Sequence, residues 1–196
     1  MARVAWIFLS LVGALWAQPR SRGGWEDVQR DAWQKPEEVI RVLAIHPQEV
    51  VADIGAGSGY FARRLAKYAG KVYAVDVDAR ALKRAAEGAP PNLITILAAP
   101  DDPKLPRASV DTVFFCNALH HISRRPEYLR RLLEALTPGG RIANIDFHKR
   151  PLPVGPGLDH KLDEQEVRRE FEAAGYKLTK QYDFLPYQYF QVFERR

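Results

Sequence analysis

From Lys35 onward the chain alternates between two kinds of apolar spacing. KPEEVIRVLAI (35–45) places apolar residues three and four apart, the spacing of one helix face, with Pro36 in the first turn. EVVADI (49–54) is a short β-branched run, which predicts a buried strand. GYFARRLAKYAG (59–70) returns to helical spacing and stops at Gly70. KVYAVDV (71–77) predicts a second strand, and DARALKRAAEG (78–88) a helix with Asp78 as its N-cap. NLITIL (92–97) and VDTVFFC (110–116) predict the third and fourth strands. RPEYLRRLLEAL (125–136) reads as a helix ending before Pro138-Gly139-Gly140, and GRIANIDF (140–147) as the fifth strand. DEQEVRREFEAAG (163–175) is a helix with an acidic first turn and a terminal glycine. YKLTKQYDF (176–184) and YQYFQVFER (187–195) read as two strands joined through Leu185-Pro186.

Strands alternating with helices predict an α/β fold, a parallel sheet covered on both faces. The last two strands break the alternation and fit an antiparallel pair at one edge. In such sheets ligands bind beyond the carboxyl ends of the strands, where strand order reverses. The polar residues at or just past those ends are Asp53, Asp76, Asn117 and Asp146.

Composition narrows the function without choosing it. With 196 residues, 46% of them apolar and 27% charged, the chain suits one domain with a proper core. The net charge of +5 is spread over pairs such as Arg63-Arg64, Arg124-Arg125, Arg130-Arg131 and Arg168-Arg169. Such pairs read as solvated helix faces, so no nucleic-acid partner is expected. The single cysteine, Cys116, cannot form an internal disulfide and lies in an apolar run.

The N-terminus differs from the rest. MARVAWIFLSLVGALWAQ has one early positive charge, then an apolar stretch to Ala17, then polar residues. That is the layout of a signal peptide, and it predicts export to the periplasm. The alternative is a membrane anchor that holds the domain on the cytoplasmic face, beside a lipid-soluble acceptor. The expected organisation is a signal peptide or anchor over 1–17, a linker and lid over 18–34, and one domain over 35–196.

The stretch VVADIGAGSGYF (50–61) carries the candidate chemistry. Gly55, Gly57 and Gly59 give G-x-G-x-G, and Tyr60 stands where a dinucleotide loop would have its third glycine. Asp53 sets a carboxylate at the strand end, poorly placed for a pyrophosphate and well placed for an ammonium group. S-adenosylmethionine (SAM) has an ammonium group and no phosphate. Asp76, at the end of the second strand, can accept from both hydroxyls of a ribose.

VADIGAGSGYF, VYAVDVD, VDTVFFCNALHHI and LTPGGRIANID together resemble the successive motifs of class I SAM-dependent methyltransferases. The likeness is strongest to the small-molecule branch that includes the ubiquinone/menaquinone-biosynthesis enzymes, and it covers about Pro36 to Arg196. It implies a Rossmann-like, doubly wound seven-stranded sheet, mostly parallel with an antiparallel C-terminal edge strand. SAM is the implied cofactor and methyl transfer the implied reaction. By the same resemblance, Asp53, Gly55, Ala56 and Gly57 line the methionine part, Asp76 holds the ribose and Val77 packs on the adenine. Asp101 or Asp102, in PDDPKLP, meets the adenine amino group, and Asn117 lies beneath the cofactor.

The acceptor is bounded by exclusion. The Asn/Asp-Pro-Pro-Tyr motif of base amino-methyltransferases and the Pro-Cys of cytosine C5 methyltransferases are both absent after the fourth strand. One cysteine cannot supply the thiolates of an arsenite methyltransferase. A small-molecule acceptor is therefore expected, and the alternative is an exported ligand-binding protein that keeps the fold without turnover. For catalysis the candidates are His121, with neighbouring His120 facing elsewhere, and Asp146 with His148, which share a strand face. These residues lack close metal-ligand spacing, so no metal is expected. Trp33, Gln34 and Tyr60 are candidates to close over the cofactor.

Overall fold

The computed structural model describes residues 24–196, with side chains from Gln29 onward. The signal-peptide or anchor reading of 1–17 lies outside the described residues. Among those residues no helix is long and apolar enough to cross a membrane.

Strands β1 (Val50–Ile54), β2 (Lys71–Asp76), β3 (Leu93–Leu97), β4 (Val110–Cys116), β5 (Leu136–Phe147), β6 (Tyr176–Tyr182) and β7 (Gln188–Arg195) form one sheet. Its order is β3-β2-β1-β4-β5-β7-β6. β1 pairs in parallel with both β2 and β4, so strand order reverses between β1 and β4. The antiparallel pair stands at one edge, and within it the last strand, β7, is the inner member, bonded to both β5 and β6. Burial explains the placement. Gln188–Phe193 of β7 are all buried, whereas β6 exposes Lys177 and Lys180, charges that discourage pairing with a further strand.

Helices α2 (Pro36–Leu43), α3 (Ala62–Leu65), α4 (Ala79–Ala86), α5 (Arg125–Ala135) and α6 (Glu164–Ala173) follow α1 (Gly24–Gln34). Asp78 caps α4 as its sequence position suggested, accepting from the Arg80 amide, and Asp163 caps α6 through the Gln165 and Glu166 amides. α3 is shorter than its apolar spacing implies. Its last turn tightens as Lys67 and Tyr68 bond back three residues, and Gly70 then reaches the Glu49 carbonyl.

The adjacent Phe114 and Phe115 of β4 point to opposite faces and seed two cores. On one face Val39, Ile40, Leu43 and Leu65 join Phe114 and Phe190. On the other, Leu129, Leu132, Val167 and Phe171 join Phe115 and Phe193, with the Phe171 and Phe193 rings stacked at 4.0 Å.

One element departs from the polar linker expected before Lys35: residues 24–34 form helix α1. It is held by tertiary contacts that hydropathy does not register. Trp33 packs against Phe147 and Tyr187, and Gln34 is fully buried.

Candidate functional site

The loop after β1 is tied to the end of β2. The Gly55 and Ala56 amides both donate to the Val75 carbonyl, and the Gly57 amide donates to Asp76 Oδ2 at 2.8 Å. Asp76 Oδ1 accepts from the Asp78 amide at 2.9 Å. A carboxylate offers about four lone-pair sites, so these two bonds fix Asp76 and still leave it able to accept from a ligand. Gly55 has φ +73°, and a Cβ there would lie 2.5 Å from Ala118 Cβ, so only glycine fits this close approach.

Beyond the ends of β1, β2, β3 and β4 opens a cavity of about 870 Å³. Gly55, Asp76, Val77, Asp101, Asn117 and His121 all line it, so just under half of the expected site residues meet in one place. Val77 is exposed beside Ala98, Ile122 and Tyr128, an apolar slot next to the Asp76 carboxylate. Asp101 pairs with Arg124 across the lining. Asp102, offered as the alternative, does not line the cavity; it accepts from the Lys104 amide and bridges to Ala99.

Asp53, Ala56, Gly57 and Tyr60 are near the loop but do not line this cavity. Asp53 is buried, and one of its oxygens, Oδ2, has no partner among the described residues. Burial pushes its pKa up to about 7, opposed by the Arg30 charge and the Ala62 amide. Tyr60 is buried with its hydroxyl on Asp31, and the guanidiniums of Arg30 and Arg64 lie over its ring at 3.8 and 4.1 Å.

Asn117, just past β4, has φ +58°, a left-handed backbone that asparagine tolerates better than most residues. Its amide belongs to a closed ring. Gln34 Nε2 donates to Gln188 Oε1 at 2.7 Å, Gln188 Nε2 donates to Asn117 Oδ1, and Asn117 Nδ2 donates to Gln34 Oε1 at 3.3 Å. The expected lid residue Gln34 is thus locked to β7 and to the loop after β4.

The three expected catalytic residues do not line one cavity. Only His121 lines the cavity. Burial, followed by the neighbouring His120, holds its pKa below the usual histidine value. Asp146 is buried and pairs with His120, whose Nδ1 lies 2.9 Å and 3.0 Å from its two oxygens. The His120 and His121 rings touch, with centroids 4.1 Å apart. His148 belongs to a second cavity of about 280 Å³ with Glu164 and Tyr189, its Nδ1 3.6 Å from Glu164. β5 ends at Phe147, and the His148 ring lies 5.9 Å from that of Tyr189, the residue paired with Asp146 across β5 and β7. Cys116 is buried and its thiol is pushed up to about 12, which disfavours the thiolate form.

Residues 52–144 match the family model of a methyltransferase domain. The stretch runs from Ala52, ahead of the Gly55 loop, to Asn144 in β5, and so contains Asp53, Asp76 and both adjacent histidines. A crystal structure of a SAM-dependent methyltransferase from Aquifex aeolicus superposes on it with a TM-score of 0.79 at 25% identity, covering 84% of this chain and 92% of that one. An uncharacterised methyltransferase of Mycobacterium tuberculosis is 40% identical over 104 residues, 50% of this chain and 51% of the relative. The 27-O-demethylrifamycin SV methyltransferase of Amycolatopsis mediterranei is 27% identical over 162 residues, 78% and 60% respectively. A 2-methyl-6-phytyl-1,4-hydroquinone methyltransferase of Synechocystis is 32% identical over 107 residues, 53% and 34%. The chain spans about half the length of the first of these curated relatives.

The family-model match and the fold support SAM as the cofactor. The side chains suit it, with a carboxylate at the end of β2, an apolar slot beside it, and the unpartnered oxygen of Asp53 under the glycine loop. Three residues that sequence reasoning passed over belong to the same assembly: Arg30, His120 as the partner of Asp146, and Gln188.

Proposed function

We propose that the protein is a SAM-dependent methyltransferase whose acceptor is a small molecule with a hydroxyl presented beside His121. The observation that carries this reading is the single cavity joining Gly55, Asp76 and Val77 on one side to His121 on the other. When bound there, the cofactor supplies a methyl group already activated on a sulfonium. The protein's part is mainly alignment, which in model reactions contributes up to about 7–11 kcal/mol.

Asp76 accepts from the ribose hydroxyls, and the slot of Val77 and Ile122 holds the adenine ring. His121 faces the acceptor. With its pKa held low it is neutral at pH 7, and its lone pair can take the hydroxyl proton as the oxygen accepts the methyl. His120 and Asp146 position it. Two carboxylate oxygens on one Nδ1 fix the His120 ring, and His121 packs against that ring. A hydroxyl acceptor also agrees with the name of one relative, the 27-O-demethylrifamycin SV methyltransferase.

The test begins with calorimetric titration of the full chain by SAM, S-adenosylhomocysteine and NAD. Labelled-methyl transfer to a panel of phenols and hydroquinones follows. Binding of both adenosyl ligands but not NAD, with label entering an acceptor oxygen, is the expected result. His121→Ala should then lower kcat by about 10²-fold or more, with S-adenosylhomocysteine affinity kept. Binding of NAD alone would overturn the cofactor. Full activity of His121→Ala would overturn the base.

A further inference from the structure

The two edges of the sheet are built differently. β6 exposes Lys177 and Lys180, charges that a neighbouring strand would have to bury. β3, at the other edge, has no such guard. Residues 89–100 contain no charged side chain, and the strand itself reads Leu-Ile-Thr-Ile-Leu. Ile94 and Leu97 are 43% and 50% exposed, and Thr95 is exposed. The connection after β3 explains part of this. Leu82 of α4 shares a core with Leu93, but residues 98–109 reach β4 through turns and one bridge, so no helix follows to cover Ile94.

The backbone of β3 divides in the same way. The Val72 amide donates to the Asn92 carbonyl, and the Ala98 amide donates to the Asp76 carbonyl, so the even-numbered residues bond toward β2. Alternation turns the N–H and C=O groups of Leu93, Thr95 and Leu97 toward the open edge. The Leu93 amide is taken up by the Pro90 carbonyl at 3.0 Å. The Thr95 and Leu97 amides and the three carbonyls face a side where no strand pairs among the described residues. Leu-Ile-Thr-Ile-Leu also reads the same in both directions. Laid antiparallel on a second copy, about a twofold axis at Thr95, it meets its own complement. Thr95 then lies opposite Thr95, Leu97 opposite Leu93, and Ile94 opposite Ile96 of the second copy. The two Thr95 amides donate to each other's carbonyls, and each Leu97 amide donates to a Leu93 carbonyl. Both exposed apolar side chains gain apolar partners, and the threonines pair across the axis.

We propose that β3 is a homodimer interface, with two copies paired antiparallel through Leu93–Leu97 so that their sheets become continuous. Pro90-Pro91 ahead of the strand and the bridge from Ala99 to Asp102 after it confine the pairing to these five residues. The lysines of β6 keep the other edge from adding further copies, so the assembly closes at two. A contact of this length is small, so the dimer should dissociate on dilution. Ala98 and Ala99, which line the large cavity, follow β3 directly, so the interface adjoins the site without supplying a residue to it.

Sedimentation of the full chain over about a hundredfold range of concentration should show a monomer–dimer equilibrium. Thr95→Pro removes only an outward donor and leaves the bonds to β2, so it should weaken the dimer about tenfold or more while the melting temperature stays near the wild type's. Leu97→Lys should do the same by burying a charge opposite Leu93. Thr95→Cys tests the register without weakening the strand. Residues opposite one another in such a pair have Cα atoms about 5.5 Å apart, within the span of a disulfide, and the chain's own Cys116 is buried. Under mild oxidant Thr95→Cys should form a covalent dimer, and Lys180→Cys, on the opposite edge, should form far less. A monomer at every concentration would overturn the proposal. So would a dimer that Thr95→Pro leaves intact, or one in which Thr95→Cys crosslinks no faster than Lys180→Cys.

Discussion

Replacing Gly55 by alanine separates two costs that the structure places at one residue. The first is conformational: φ is +73°, and an L-residue in the left-handed region costs about 1–2 kcal/mol. The second is steric. The new Cβ would lie 2.5 Å from Ala118 Cβ, where apolar carbons pack best at about 3.5–4.0 Å, so loop and neighbour must part by about 1 Å or more. Overpacking of that kind costs about 1–3 kcal/mol, so Gly55→Ala should destabilise by about 2–5 kcal/mol in all. Ala118→Gly removes the steric cost and leaves the conformational one. Urea unfolding of wild type, the two single variants and the double variant gives the coupling directly. The double variant should be more stable than the sum of the singles implies, by about 1–3 kcal/mol. Additivity to within about 0.5 kcal/mol would show that the two residues do not touch, and that the cavity floor is wrongly described.

Asp53 predicts opposite pH trends for stability and binding. Its folded pKa, about 7, is raised above an ordinary carboxyl, so its contribution to stability is fully present below about pH 4 and lost as pH rises through 7. Asp53→Asn should therefore stabilise the ligand-free protein more at pH 8 than at pH 5, and thermal melts at the two values check this. S-adenosylhomocysteine affinity should run the other way, falling as pH drops below 7, and the Asn variant should lose that slope. The Tyr189 hydroxyl is buried without a partner among the described residues, and Asp146 and Glu164 lie near enough to act on it. Tyr189→Phe removes an unsatisfied group that costs about 1–3 kcal/mol, so its melting temperature should equal or exceed the wild type's, and a clear drop would reveal a missing hydrogen-bond partner. Arg125 joins α5 to α6 through two bonds to Glu170, at 2.6 and 2.7 Å. Glu170→Ala should cost about 1.5–3 kcal/mol in urea unfolding with cofactor affinity unchanged.

What was legible in the chain follows the range of each interaction. Asp53 and Asp76 could be placed because a strand, its terminal carboxylate and the following glycine loop are consecutive, and strand alternation orders them. Which of two adjacent histidines meets Asp146 could not be read locally. They sit in the short 3₁₀ turn Leu119–His121, and the partner that decides between them is 26 residues away on another strand. α1 was hidden for a different reason. Hydropathy finds a helix by its apolar stripe, but in GWEDVQRDAWQ the contacts that seat the helix include Arg30 on Tyr60 and Gln34 in a ring of amides. A helix seated through a cation and an amide reads as a polar linker. Polar seating is costly wherever those groups lack partners, so it is expected where a ligand supplies some of them. Among the described residues Arg30 contacts an amide, a thiol and an aromatic face, and it is where the missed helix meets the residues beside the cofactor loop.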